Sequence, residues 1–103
     1  MNVIYKYECV PGVLDWVAQL PKGAEILSLG TQHNNYVYWA KVDSDAPLVP
    51  RRLKLLMTGQ PFGQSLEGMP EPKYCGTCVA YVETTIPFVL HLFDLGKVPN
   101  GDS

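Results

Sequence analysis

The sequence is poor in charge and lacks long apolar segments. Charged residues make up 17% of the 103 residues, below the usual quarter. No run approaches eighteen apolar residues, and the first residues show no basic segment followed by an apolar stretch, so we expect neither a membrane span nor a secretory leader. These absences predict a soluble, cytoplasmic protein with no membrane partner.

Basic charge and cysteine are also scarce. Eight Lys and Arg residues against ten Asp and Glu give a formal net charge of -2, and Arg51 and Arg52 are the one adjacent basic pair. A nucleic-acid binder normally needs a basic stripe to neutralise phosphates, so we expect no nucleic-acid partner. Three cysteines cannot all pair within the chain, and this odd count is typical of reduced thiols in a cytosol.

No signature of catalysis or of metal binding is complete. Cys75 and Cys78 have the C-x-x-C spacing of zinc-binding or redox thiols, but a second closely spaced ligand pair is missing. Further single ligands could come from Cys9, His33 and His91. In a regular strand, residues three apart point to opposite faces, so the two sulfurs diverge unless Gly76 forms a bulge. We interpret the cysteines as small buried side chains without a metal.

A nucleophile and base pair is a second possibility. His91 could combine with Cys75 or Cys78 and with Asp94, if the fold brings these residues together. A lone histidine among apolar strand residues is more often structural. The Gly-rich stretch that begins at Gly59 lacks the Lys-Ser/Thr of a phosphate-binding loop. We therefore expect no enzyme, no catalytic residue and no cofactor.

The sequence does contain many short apolar runs separated by turn residues, including nine Gly and nine Pro. The runs predict strands at residues 2–8, 13–20, 25–33, 36–43, 51–58, 73–83 and 88–94, with a tight turn at Asn34 and Asn35. No amphipathic helix separates them, so parallel pairing is not expected. The fold class is all-β: a single antiparallel β-sandwich or small open barrel of six or seven strands over residues 1–95, with a flexible polar tail at 96–103.

The alternation of side chains predicts a core and an exposed surface. The core is expected to include Val37, Trp39, Leu53, Leu55, Val79, Val89 and Leu92. Because Val37 and Trp39 are the more apolar pair of the fourth run, Tyr36 and Tyr38 are assigned to the opposite, solvent-facing side. The candidate binding residues are Tyr36, Tyr38, Arg51, Arg52 and Phe62. Phe62 belongs to the Gly- and Pro-rich stretch 59–72, which is either an ordered packed loop or a binding loop.

Open sheet edges favour a homodimer. A sheet of short strands in a chain of this length leaves unpaired backbone groups at its edges. Two runs, 36–42 and 73–82, have few charges and no proline. Either could pair with its copy across a two-fold axis.

Five short motifs occur in a characteristic order: YKYE at 5–8, LPKGAEILS at 20–28, WAKVD at 39–43, TG at 58–59 and HLF at 91–93. Together they resemble a family of small uncharacterised proteins encoded by tailed bacteriophages and by bacteria that carry prophages. The resemblance spans about residues 5 to 94 and implies an all-β accessory protein without an assigned activity. The chain departs from the family pattern at 63–72 and at Cys75 and Cys78, so the cysteines are not expected to be a site shared by the family.

These observations favour a protein that acts by binding. We expect a phage-related accessory protein that binds or inhibits a host protein, in counter-defence or host takeover. One alternative is a homo-oligomer that sequesters a small nucleotide-like signal between its subunits, with Arg51, Arg52, Tyr36 and the stretch 59–72 as contacts. Another is a minor structural component of the virion.

Overall fold

Seven strands make up the regular structure in a computed structural model of the chain, which describes residues 1–10, 13–33, 35–60, 72–81 and 87–98. They are β1 (Asn2–Glu8), β2 (Asp15–Pro21), β3 (Glu25–Gln32), β4 (Asn35–Asp43), β5 (Leu48–Met57), β6 (Lys73–Tyr81) and β7 (Pro87–Lys97). Within those ranges there is no helix, and so none that could span a membrane.

The strands form two antiparallel sheets that pack face to face. One sheet has the order β1-β4-β3 and the other β2-β5-β7-β6. The molecule is 19 Å deep along its shortest axis, as two sheets about 10 Å apart and their side chains require. The all-β antiparallel fold predicted from the sequence is confirmed as a two-layer sandwich.

The hairpin between β3 and β4 lies one residue earlier than predicted. Gln32 pairs with Asn35, so Asn35 belongs to the strand and not to the turn. His33 begins the connection with a φ of 50°. A positive φ there matches the tight turns that join twisted antiparallel strands, and histidine is among the few residues other than glycine that are enriched in this conformation.

The predicted orientation of β4 was wrong. Tyr38 is 1% exposed and belongs to the core, where its ring stacks on Tyr7 with centroids 5.4 Å apart. Tyr36 is half-buried and packs against the same core. The stacked rings of Tyr7 and Tyr38 fill space between the two sheets, so this face of β4 is buried in preference to the face that holds Val37 and Trp39.

The outer face of β4 holds Val37 and Trp39, the residues expected inside. Val37 is buried, as expected, but on this outer face, and Trp39 is half-buried. Trp39 lies across Gly30 on β3: a Cβ on that glycine would stand 2.9 Å from the indole Cζ3. The missing side chain therefore leaves room for the indole ring over Gly30.

The remaining core predictions are mixed. Leu53, Leu55 and Leu92 are buried as expected, whereas Val79 is 47% exposed and Val89 is only half-buried. The register of β6 shifts between Tyr74 and Gly76, opposite β7. This bulge changes the alternation of every later residue in β6, which turns Val79 outward beside its partner Val89.

The prediction of a free edge and that of the last strand's end also need correction. The run 36–42, expected as a free edge, lies in β4 between β1 and β3 and so has no open side. Strand β7 continues through Gly96 to Lys97, two residues into the segment predicted as a tail. Residues 99–103 lie outside the described ranges.

Candidate functional site

Arg51, a predicted binding residue, is part of a buried ion pair. Its guanidinium contacts the Asp94 carboxylate, and Nη2 donates to the carbonyl oxygen of Ala24 at 3.2 Å. The Arg51 and Asp94 side chains are 13% and 8% exposed. Asp94 also accepts the Gly96 N–H at 2.8 Å. The pair thus joins β5 and β7 to the start of β3, across the two sheets.

Arg52 is paired too, but at the surface. Its Nε and Nη2 donate to the two carboxylate oxygens of Asp15 at 3.0 and 2.7 Å. These hydrogen bonds lower the pKa of the Asp15 carboxyl below its ordinary value. Both predicted cationic residues are therefore engaged by carboxylates of the chain itself.

The three aromatic candidates also lie in different places. Tyr38 is in the core, and Phe62 lies outside the described residues. Tyr36, at the beginning of β4, lines an open cleft at one end of the sandwich. Of the four predicted binding residues that the structure describes, Tyr36 lines this surface depression, whereas Tyr38, Arg51 and Arg52 do not.

The cleft has a volume of about 250 Å³. It is lined by Val10, Val13, Leu14, Tyr36, Leu55, Met57 and Leu90. Leu55 and Leu90 form its buried floor, whereas the rim residues Val10, Val13, Leu14 and Met57 are each between 38% and 45% exposed. The floor belongs to the core, and the rim is open to solvent.

Backbone hydrogen bonds fix the rim. Cys9 N–H donates to the Tyr36 carbonyl at 2.9 Å, which extends the β1–β4 ladder to the cleft. Val13 N–H donates to the Val10 carbonyl at 3.2 Å. Leu55 N–H donates to the Leu14 carbonyl at 2.7 Å, continuing the β2–β5 ladder. The apolar rim is therefore carried by ordered backbone at both ends of the β1–β2 connection.

The lining chemistry is almost entirely apolar. Among the described lining residues, Tyr36 alone carries a polar group on its side chain, and burial raises its pKa. No charged side chain lines the cleft in this part of the structure. Sites for drug-sized ligands are about 300–1,000 Å³, so this cleft is of a size for one or two apolar side chains.

Sequence reasoning missed the rim of this cleft. Val10, Val13 and Leu14 flank a Pro-Gly pair at positions 11 and 12, between the first two predicted strands, and they are absent from the predicted binding residues. Their clustering was a usable signal, because the residues around a surface turn are usually polar. Met57 gave no such signal, because it fits the ordinary alternation of the predicted strand 51–58.

The cysteines are free thiols that face the core. Cys75 is buried and Cys78 half-buried, and the bulge in β6 brings both to the inner face, as the sequence required for them to converge. Burial raises the pKa of Cys9 to about 12 and that of Cys75 to about 11, and it raises the pKa of Cys78 as well. A redox or nucleophilic thiol has a lowered pKa, so these environments are those of inert core cysteines.

His91 does not join the cysteines and Asp94. Its Nε2 and Nδ1 each lie 2.8 Å from a hydroxyl, that of Thr58 and that of Thr77, on the outer face of the second sheet. Asp94 and the thiols are on the inner side of the same strands. Across the described ranges, no group of three or more His, Cys, Asp or Glu side chains could hold a metal ion.

The comparisons with known proteins give a family and little more. A family described as a domain of unknown function (DUF7352) matches residues 1–101. No curated protein and no solved structure matches the chain.

Proposed function

The chain belongs to the DUF7352 family, a domain of unknown function, and from its geometry we propose that it acts by binding a protein of a bacterial host. In this proposal it is a phage-related accessory protein that works in the host cytoplasm and binds or inhibits its target. The resemblance of residues 5–8, 20–28 and 39–43 to proteins of tailed phages supports the setting. The surface supports the mode of action.

The open apolar cleft carries the proposal. A monomeric protein rarely leaves several aliphatic side chains clustered around a depression, and such patches often mark interaction sites. The rim residues Val10, Val13, Leu14 and Met57 form a cluster of this kind. The occupant we propose is one or two large apolar side chains of a partner protein, with the Tyr36 hydroxyl available for a hydrogen bond at the interface.

The nucleotide-sequestering alternative is less well supported. Phosphates need cationic side chains or clustered N–H donors. Arg51 and Arg52 are held by Asp94 and Asp15, and the cleft is lined without charge in the described residues. The alternative of a virion component has no specific observation in its favour.

Capture from a lysate of the bacterial host tests the proposal when it compares matched variants. Leu14→Lys places a charge on the rim, and Val17→Lys places the same charge at a similarly exposed position on β2, away from the cleft. We expect one host protein to bind the wild type and Val17→Lys in stoichiometric amount, and Leu14→Lys to retain at least tenfold less.

Three outcomes would contradict the proposal. Equal capture by Leu14→Lys would remove the cleft as the binding site. Thermal stabilisation by a nucleotide, with no host protein captured, would favour the sequestering alternative. Co-purification with assembled particles in place of a host protein would identify a virion component.

A further inference from the structure

Strand β1 forms an open edge of the first sheet. Of the described strands, β4 alone lies beside β1. Its register with β4 is regular from Asn2 to Glu8, with no bulge and no proline. A long, regular edge strand is a template for pairing with another chain, because its outward N–H and C=O groups have no partner in the sheet.

The hydrogen-bond pattern tells which residues face that open edge. Cys9 N–H donates to Tyr36 O and Ser44 N–H donates to Met1 O, both at 2.9 Å. In an antiparallel ladder such bonded residues alternate with residues whose backbone groups point the other way. With the constant register of β1, the odd residues therefore bond to β4. Asn2, Ile4, Lys6 and Glu8 direct their N–H and C=O groups outward.

The edge has little of the usual protection. Charged side chains, above all lysine, commonly guard such edges. Here the Lys6 Nζ donates to Gln32 Oε1 at 2.7 Å, so this lysine reaches across β4 toward β3, away from the edge. Ile4 is left 63% exposed and Tyr5 46% exposed.

We infer that this edge binds a second copy of the chain, with β1 pairing antiparallel to its counterpart about a two-fold axis at Tyr5. Tyr5 then faces Tyr5 of the other copy, Ile4 faces Lys6, and Asn2 faces Glu8. All four outward residues of each strand are paired, which gives eight hydrogen bonds and a continuous six-stranded sheet. The inference is independent of the proposed function, because no residue of β1 lines the cleft.

The side chains select this register. Only registers that place odd residues opposite odd residues keep Val3, Tyr5 and Tyr7 together on the core-facing side. An axis at Lys6 would set the two lysines directly opposite, which is destabilising. An axis at Ile4 would leave Glu8 of each copy unpaired. With the axis at Tyr5, the exposed Ile4 packs on the aliphatic part of Lys6 and no like charges face each other.

Sedimentation velocity at about 10 to 500 µM tests the inference. A single-strand interface is small, so we expect weak association that rises with concentration toward twice the 11.4 kDa chain mass. Lys6→Pro removes an outward N–H and leaves the hydrogen bonds to β4 intact, so it should raise the dissociation constant of the dimer by about tenfold or more. Lys6→Ala, which loses the contact with Gln32 and the packing on Ile4 but keeps the N–H, should weaken dimerisation much less than Lys6→Pro does.

A cysteine pair tests the register and does not depend on the proline variant folding. Tyr5→Cys places two thiols directly opposite at the axis, within the reach of a disulfide, so oxidation should give a covalent dimer. Asn2→Cys would place them six residues apart, about 20 Å, and should not link. A monomer at every concentration, equal dimerisation by Lys6→Pro, or equal linking by Asn2→Cys would overturn the inference. So would a foreign strand occupying the edge of a monomeric chain.

Discussion

The adjacent residues Arg51 and Arg52 should differ sharply in what they contribute to stability. Arg51→Met removes the guanidinium from Asp94 and from the Ala24 carbonyl, and it leaves a carboxylate that is 8% exposed with the Gly96 N–H as its remaining described donor. Removing one partner of a buried pair costs about 3–5 kcal/mol. Because that N–H remains, we expect a loss of about 3 kcal/mol in the free energy of unfolding.

Arg52→Met is the matched control at the next position. Its ion pair with Asp15 has a good two-bond geometry, but the two side chains are 26% and 37% exposed. Exposed pairs contribute about 0.2–1 kcal/mol, so this variant should lose about 1 kcal/mol or less. With a urea dependence of about 1.5 kcal/mol/M, the two unfolding midpoints should fall by about 2 M and by less than about 0.7 M.

A double variant distinguishes the stability lost with the ion pair itself from the cost of leaving the Asp94 carboxylate without its partner. Arg51→Met combined with Asp94→Leu removes the uncompensated carboxylate, so it should recover most of the stability that Arg51→Met loses. Equal losses from the two single variants, a loss below about 1 kcal/mol for Arg51→Met, or no recovery in the double variant would each refute the reasoning.

Three further predictions concern the thiols and one glycine. Cys78 should be the first cysteine to react with a disulfide reagent at pH 8, because it is only half-buried whereas Cys9 and Cys75 are buried. A thiol with a pKa of about 12, as for Cys9, has about one thiolate in 10,000 molecules at that pH, against about one in four for an ordinary thiol. Faster reaction of Cys9 or Cys75 would contradict their burial. The folded state holds the protons of Cys9 and Cys75 to a higher pH than the unfolded chain, so the contribution of these thiols to stability should be constant below about pH 8 and fall above it, by at most about 2 kcal/mol per thiol at pH 10. In Cys9→Ala the midpoint of urea unfolding should therefore fall less steeply as the pH rises from 8 to about 10. Gly76→Ala should lower the free energy of unfolding by about 2 kcal/mol or more in thermal or urea unfolding, because its Cβ would stand 2.9 Å from the β3 backbone. Gly23→Ala is the control: its Cβ would have open space, so the loss should be about 1 kcal/mol. Equal losses from the two variants would count against the close contact at Gly76.

The sequence was sufficient for the fold class and for most strand positions. Short alternating runs and turn residues depend on local chemistry, which a single sequence displays directly. Which face of a strand is buried is harder to predict, because it depends on the side chains that neighbouring strands and the opposite sheet place against it. On β4 the choice between Tyr38 and Trp39 was decided by Tyr7 stacking from β1 and by the gap at Gly30 on β3, neither of which is visible in the sequence of β4 itself.

The bulge in β6 shows a second limit. The sequence predicts that Cys75 and Cys78 converge only if the strand bulges near Gly76, and the register shift confirms that condition. The same shift reverses the orientation of Val79, which is exposed although regular alternation predicts it in the core. A single inserted residue changes every later position in a strand, so an error at a bulge propagates where an error in a turn does not.

The two ends of the sandwich should be separable by mutation. Arg51 closes one end through Asp94 and Ala24, whereas Met57 opens on the cleft, and these two residues of β5 lie six positions or about 20 Å apart. If Arg51 stabilises the fold and does not contact the partner, Arg51→Met should capture the host protein as well as the wild type does below its own unfolding temperature. Met57→Lys should lose capture with its stability nearly unchanged, because Met57 is partly exposed. Loss of capture by folded Arg51→Met would instead make that arginine part of the binding surface, as the sequence alone predicted.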